Sequence, residues 1–138
     1  MKKMEGLEEA FKEAKEVFLT TFDEDGNENS RTMTNFNEDP YGVMWFPTEK
    51  GTQKVKDIEG NPRVLLTIPC NECGFFYEIE GEAEFEDPEV VKEKWKWWYL
   101  SWRPTQRRRF WFPPTLDDPK RVIINVHPKS VKVVDATK

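Results

Sequence analysis

Alternating apolar and polar positions dominate most of this chain and predict a protein built mainly from short strands. The strands are predicted at 17–22, 31–34, 43–46, 63–68 and 75–85. Turn residues at Asp25-Gly26 and over 37–42 predict two hairpins early in the chain. Two more strands, at 121–126 and 130–135, are predicted to close the chain and to be separated by His127-Pro128.

Three segments instead show helical spacing. Residues 4–15 place Met4, Leu7, Phe11 and Ala14 on one face, which predicts an amphipathic helix covering one end of a sheet. A loop over 47–51 precedes a short helix over 52–58, and a third helix begins at Asp87-Pro88-Glu89 and ends at Pro104. About six antiparallel strands with flanking helices indicate a single α+β, mainly β domain over 1–138, built as a small barrel.

Charge and composition narrow the functional classes. The net charge of −5 argues against nucleic acid as a general partner, although Arg103 and Arg107-Arg108-Arg109 form a local basic cluster. No apolar run approaches the roughly 20 residues of a membrane-spanning helix. The first residues show no apolar signal-peptide core, so we expect no membrane association and a cytoplasmic location. The two cysteines cannot build a disulfide framework, which fits a reducing compartment.

The residues of a candidate phosphate site are concentrated around the first strands and the short helix. Arg31 supplies a planar two-pronged donor, Lys54 a compact positive charge and Thr52 a hydroxyl. The start of the short helix adds free backbone N–H groups and a favourable dipole. Each of these residues alone would be an ordinary surface residue, and only their combination predicts phosphate binding.

Three short motifs carry a resemblance to a known family: Arg31-Thr32-Met33, Trp45-Phe46-Pro47-Thr48 and Thr52-Gln53-Lys54. In this order and spacing the chain resembles the FMN-binding split barrels related to pyridoxamine 5'-phosphate oxidase, in their general-stress-protein branch. The resemblance implies that Arg31, Thr52 and Lys54 hold the FMN phosphate. It also implies that the ribityl chain and flavin ring lie along a second set of residues, partly through backbone groups. These are Thr32, Met33, Trp45, Phe46 and Thr48, with Gln53 inside the phosphate-binding step.

The resemblance also implies a split barrel, a homodimer with flavin sites where the subunits meet, and FMN-dependent redox chemistry on an unknown substrate. No acid–base or nucleophile pair stands out, so catalytic residues stay unassigned, as expected where the flavin does the chemistry. Two alternatives remain open. The same barrel could bind a deazaflavin or pyridoxal phosphate, or it could hold flavin without turnover, as a binding or sensing module.

Three further features have both a plain and a functional interpretation. The aromatic stripe Trp95, Trp98 and Trp102 is typical of buried core, whereas Trp97 and Tyr99 lie off it and suggest a subunit interface. Arg107 to Arg109 form either a solvated loop or an arm reaching the partner's flavin or an anionic substrate. Cys70 and Cys73 are interpreted as structural or incidental thiols, with a redox or intersubunit metal role as the alternative. His127 is interpreted as structural.

Overall fold

A computed structural model describes residues 2–70, 73–101 and 121–135, with 95–101 described as backbone alone, and contains three helices and six strands within those ranges. The helices are α1 (Leu7–Glu13), α2 (Gln53–Gly60) and α3 (Pro88–Ser101). The strands are β1 (Glu16–Phe22), β2 (Glu28–Thr34), β3 (Met44–Glu49), β4 (Arg63–Pro69), β5 (Phe75–Phe85) and β6 (Arg121–Asp135).

The strands form one antiparallel sheet in the order β2-β1-β4-β5-β6-β3. Although β3 follows β2 in the chain, the two strands lie at opposite ends of that order. The sheet curls into a half-barrel with the helices at its flanks. The predicted α+β, mainly β split barrel is therefore confirmed.

The core lies on the inner face of the curled sheet. Along β4, Val64, Leu66 and Ile68 are fully buried while the residues between them are partly exposed, as the alternation predicted. Helix α1 adds Leu7 and Phe11, both fully buried, and so covers this core as predicted. Burying one such side chain contributes about 1.5–3 kcal/mol relative to leaving it exposed.

Helix α1 begins later than the sequence predicted, because the chain turns at Gly6. The φ angle of Gly6 is 81°, and a Cβ there would lie 2.6 Å from the hydroxyl oxygen of Tyr77. That hydroxyl donates to the carbonyl oxygen of Glu5 at 3.0 Å. Only glycine accommodates both the left-handed conformation and the close approach. The resulting turn fixes Met4 outside the helix, where its backbone N–H donates to the Tyr41 hydroxyl.

The segment between β2 and β3 does not form the predicted hairpin, because β3 pairs with β6 and not with β2. Instead, the Asn37 side chain makes backbone hydrogen bonds to β3 that a neighbouring strand would otherwise make. Its Oδ1 accepts from the Trp45 N–H at 2.9 Å, and its Nδ2 donates to the Trp45 carbonyl oxygen at 3.0 Å. The same pairing with β6 extends β3 to Glu49, into the predicted loop. Local turn chemistry indicated a turn correctly but could not indicate which strand comes next in the sheet.

The predicted pair of closing strands is also wrong, since β6 runs unbroken from Arg121 to Asp135. Pro128 lies opposite Gly81, and the register shifts between Glu80 and Gly81. Glu80 is paired with Ser130, so Lys129 is the extra residue of a bulge. A bulge bends a strand and leaves a residue out of the ladder, which allows a proline within a paired strand.

The predicted start of α3 is confirmed. The Asp87 carboxylate accepts from the Glu89 N–H at 2.9 Å, which caps the helix. Val91 and Ile123 are buried together outside the main core, with Trp45 packed against them. The predicted end of α3 at Pro104 lies outside the described residues, as does Trp102. Among the residues that are described, no helix has the length and apolar character needed to cross a membrane.

Candidate anion-binding site

Arg31 lies on the inner face of the sheet. It pairs with Leu19 across the β1–β2 ladder, and cross-strand partners project from the same face. Leu19 is fully buried, whereas the Arg31 side chain is 21% exposed at the end of the core. Its Nη1 donates to Thr21 Oγ1 at 2.8 Å and to the Leu19 carbonyl oxygen at 3.4 Å. Arg31 is therefore a half-buried cation held in a defined orientation.

A buried carboxylate, Asp57 of α2, organises the residues around Arg31. Its side chain is 1% exposed and lies 3.9 Å from Arg31 Nη2, measured to Oδ2. The same Oδ2 accepts from Thr21 Oγ1 at 2.6 Å and from Asn29 Nδ2 at 2.9 Å. Gln53 Nε2 donates to Oδ1 at 2.8 Å. These contacts join α2 to β1 and β2.

Asp57 stays ionised in this environment. Burial alone would raise its pKa, but the hydrogen bonds from Thr21, Asn29 and Gln53, together with the charge of Arg31, outweigh burial and hold the pKa below its ordinary value. Asp57 therefore supplies a permanent negative charge behind Arg31. Asp57 is not among the site residues that the sequence predicts. The available signal was its position between Val55 and Ile58, the other two buried residues of α2.

Lys54 brings a second cation to the same place from the first turn of α2. It is half-buried, and its pKa is lowered first by that burial and then by the nearby positive charge of Arg31, with Glu49 opposing both. Burial likewise lowers the pKa of Arg31, against the charge of Asp57. Two partly desolvated cations thus lie close enough to repel each other. Such an arrangement is stabilised by an anion.

The start of α2 is also suited to an anion. Thr52 occupies the N-cap position with extended backbone but makes no side-chain capping hydrogen bond. Its hydroxyl donates instead to the Glu49 carbonyl oxygen at 3.0 Å. N–H groups of a first helical turn that no cap satisfies, beside two cations, form a favourable setting for a phosphate.

The structure places the remaining predicted cofactor residues in two groups. Met33, Phe46 and Thr48 lie on the inner face, with Met33 and Phe46 inside the core. Thr32 is exposed on the outer face of β2, and Trp45 points outward beneath α3, with Lys94 Nζ at 5.7 Å from its ring centroid. The cluster at the end of the core therefore brings together Arg31, Gln53 and Lys54, but not the side chains of Thr32 and Trp45.

Other candidate residues of the sequence do not join this cluster. His127 Nε2 lies 2.7 Å from Glu84 Oε1 on an exposed face. In the portion of the chain that the structure covers, no group of three or more His, Cys, Asp or Glu residues is placed to hold a metal ion. The side chains of Trp95, Trp97, Trp98 and Tyr99 lie outside the described residues, as do Arg103 and residues 107–112.

Known proteins resemble this chain in sequence and in fold. The chain matches the family model described as pyridoxamine 5'-phosphate oxidase like over residues 2–138. It is 32% identical over 114 residues to General stress protein 26 of Bacillus subtilis, and the aligned region covers 80% of this chain and 74% of that protein.

Two solved structures share its fold at lower identity. A pyridoxamine 5'-phosphate oxidase-related, FMN-binding protein of Nostoc punctiforme superposes with a TM-score of 0.69 at 12% identity, covering 95% of this chain and 79% of that one. An F420 reductase superposes with a TM-score of 0.67 at 24% identity, covering 94% and 98%. The match along almost the whole chain and the identity to General stress protein 26 place this protein in the pyridoxamine 5'-phosphate oxidase-like family.

Proposed function

We propose that this protein binds FMN and uses it as an oxidoreductase on a small-molecule substrate, in the manner of the general-stress-protein branch. Arg31 and Lys54 bind the phosphate through their charges, and Thr52 and the first N–H groups of α2 complete the phosphate site. Family membership and the FMN-binding relative from Nostoc punctiforme support the choice of ligand.

The observation that carries this proposal is the proximity of Arg31 and Lys54. Both cations are half-buried, they repel each other, and Asp57 supplies the carboxylate that the described contacts place beside them. Asp57 lies behind Arg31 and Glu49 acts on Lys54, but neither removes the repulsion between the two cations, so a dianionic phosphate can relieve that repulsion and replace lost hydration. A set of cations serving only the fold would gain nothing from being placed so close together.

The remaining predicted cofactor residues suggest how the rest of FMN would be held. Phe46 is fully buried, and Trp45 is covered by α3 with its backbone N–H and carbonyl oxygen bonded to Asn37, so we propose that these two residues support the site by packing. Thr48 is half-buried on the inner face and can offer its hydroxyl to the ribityl chain. When bound, the flavin supplies the redox chemistry, and these residues orient it. We also propose that two chains form a homodimer with a flavin at each subunit boundary.

A visible absorption spectrum tests the cofactor directly. The purified protein is examined as isolated, then after addition of FMN and desalting, with riboflavin treated in parallel. We expect a stoichiometric flavin band that survives desalting with FMN but not with riboflavin, because riboflavin lacks the phosphate. Equal retention of both flavins would contradict the phosphate site, and retention of neither would contradict FMN as the ligand.

Turnover is tested separately, on the FMN complex. If the protein is an oxidoreductase, its bound flavin is reduced by a nicotinamide donor and reoxidised by an added electron acceptor within the same cycle. A flavin that can be reduced by light but passes electrons to no acceptor would favour a binding or sensing module instead.

A deazaflavin is the second candidate ligand, because the fold is shared with an F420 reductase. The same cations could hold its phosphate. Titration with F420 in competition with FMN distinguishes the two ligands, since a deazaflavin lacks the visible spectrum of a flavin. Pyridoxal phosphate, whose spectrum differs from both, serves as a third competitor.

A further inference from the structure

Cys70 and Cys73 lie at the tip of the β4–β5 hairpin and are joined in a disulfide. Their Cα atoms are 5.4 Å apart, and the Cys73 N–H donates to the Cys70 carbonyl oxygen at 3.3 Å. Gly74 follows with a φ angle of 72° and directs the chain into β5. The backbone turn itself therefore keeps the two cysteines within bonding distance, whether or not the sulfurs are joined.

The bond is not needed to hold the hairpin together. From Arg63↔Glu82 to Pro69↔Phe76, the whole length of β4 is paired with β5. The two cysteines are separated by only 3 positions, so the disulfide closes a very short loop. The stabilisation that a disulfide gives by restricting the unfolded chain increases with loop length, and is smallest for such a loop. Cleavage should leave the fold intact.

The two cysteines differ in their accessibility. Cys73 is exposed, whereas Cys70 is half-buried and packs against the main core. A thiolate that approaches from solvent therefore meets Cys73 first. Attack at its Sγ releases Cys70 as the leaving thiolate, which stays beside the new mixed disulfide because the turn holds it there.

We propose that Cys70 and Cys73 form a thiol–disulfide exchange site for low-molecular-weight thiols. A first thiol RSH attacks Cys73 Sγ, the bond to Cys70 Sγ breaks, and Cys70 takes up the proton. A second RSH attacks the mixed disulfide, forming RSSR and restoring the Cys73 thiol. In sum, the protein disulfide is reduced to two thiols and two RSH are oxidised to one RSSR. This proposal does not depend on FMN binding.

Thiol counting on the native full chain tests the site. Protein prepared without reductant should show no thiol toward a chromogenic aromatic disulfide. After incubation with reduced glutathione and desalting it should show both cysteines of the chain as thiols, and oxidised glutathione should remove them again. Far-ultraviolet circular dichroism should be the same in both states. Thiols that appear only in denaturant, or a loss of secondary structure on reduction, would overturn the proposal.

Single variants test which sulfur is attacked. Cys70→Ser leaves the exposed Cys73, and Cys73→Ser leaves the half-buried Cys70, in otherwise identical chains. The thiol of Cys70→Ser should react faster with the aromatic disulfide and with oxidised glutathione. Equal rates, or faster reaction of Cys73→Ser, would contradict the assignment of Cys73 as the entry point.

Discussion

Charged residues occupy two very different regions of this molecule, the outer face of the β5–β6 ladder and the end of the core beside α2. On the outer face each acid meets a base, and the pairs are close: Glu82 Oε2 lies 2.7 Å from Lys129 Nζ and Glu78 Oε1 lies 3.3 Å from Lys132 Nζ. Both lysine side chains are more than half exposed. Exposed pairs of this kind contribute little to stability and leave no net charge to attract a ligand.

Beside α2 the charges are fewer, but Asp57 is buried, and the cations Arg31 and Lys54 are half-buried and lie near each other. Burial and then the charge of Arg31 lower the pKa of Lys54, while Glu49 acts against both and Asp57 lies behind Arg31. The comparison shows that the number of charged residues does not mark a binding site. Partial burial of two like charges close together does, because only there does a ligand of opposite charge relieve a cost already present in the fold.

The largest expected effect comes from removing one of the two cations beside α2. Lys54→Met removes a half-buried charge while keeping the length of the side chain. Losing a charge-assisted bond to phosphate should cost about 1.5–3 kcal/mol, or roughly a 10- to 150-fold rise in the Kd for FMN. Fluorescence titration measures this rise, and the affinity for riboflavin should not change.

Two matched variants serve as controls for Lys54→Met. Lys56→Met makes the same change on the exposed side of α2, and Lys129→Met makes it on the outer face. Both should bind FMN like the unaltered protein. If all three variants bound FMN equally well, the two half-buried cations beside α2 would have no connection with the cofactor. Arg31→Gln should also weaken FMN binding. Because this substitution also removes a contact of Asp57, the free energy of unfolding of the variant is measured together with its Kd for FMN.

Much of the architecture could be predicted from the sequence, because it depends on local patterns. Strand β5 was predicted with its observed bounds, Phe75–Phe85, since alternation and flanking turn residues are both local signals. The capped start of α3 at Asp87 is a signal of the same kind. The pairing of β3 with β6 could not be predicted, because it joins Met44 to Val126 across most of the chain.

In the candidate site, too, some residues have a local sequence signal and others depend on distant parts of the chain. The cations Arg31 and Lys54 were predicted from motif order, and the structure brings them together. The residue that organises them, Asp57, was missed because its burial depends on Thr21 and Asn29, which belong to other elements. Within α2 alone, an acid that follows Lys56 and precedes Glu59 by two positions resembles part of a solvated helix face. The bulge at Pro128 was missed for a related reason, since it becomes visible only when Gly81 is known to lie opposite.

Asp57→Asn should produce the next largest effect, on stability. The substitution keeps the shape of the side chain but replaces an oxygen that accepts from Thr21, Asn29 or Gln53 with a donating group. A buried donor left without an acceptor costs about 1–3 kcal/mol. Urea unfolding of the FMN-free protein should show this loss. Glu82→Gln, which removes an exposed carboxylate of the outer face, should leave the unfolding midpoint unchanged.

The unaltered protein and Asp57→Asn should differ less in stability at acid pH. The pKa of Asp57 is lower in the folded state than the ordinary carboxyl value of about 3.9 that applies to the unfolded chain. Its contribution to stability is therefore complete above about pH 4 and is lost as the pH falls toward the folded pKa, because the unfolded chain takes up the proton first. The free energies of unfolding of the unaltered protein and Asp57→Asn should converge below about pH 4. A constant difference down to the lowest pH would show that Asp57 acts through the hydrogen bonds it accepts and not through its charge.

The smallest expected effect is an alkaline loss of FMN affinity that depends on Lys54. Its pKa in the free protein lies below the ordinary lysine value, first because of burial and then because of Arg31. Only the protonated form attracts the phosphate, so the Kd should rise as the pH increases through that lowered pKa, at a pH where exposed lysines are still charged. Ionisation of the flavin ring is common to FMN and riboflavin, and the riboflavin titration corrects for it. The corrected profile should be flat in Lys54→Met and unchanged in Lys56→Met. A profile that survives in Lys54→Met would assign the alkaline loss to another group and separate Lys54 from the phosphate.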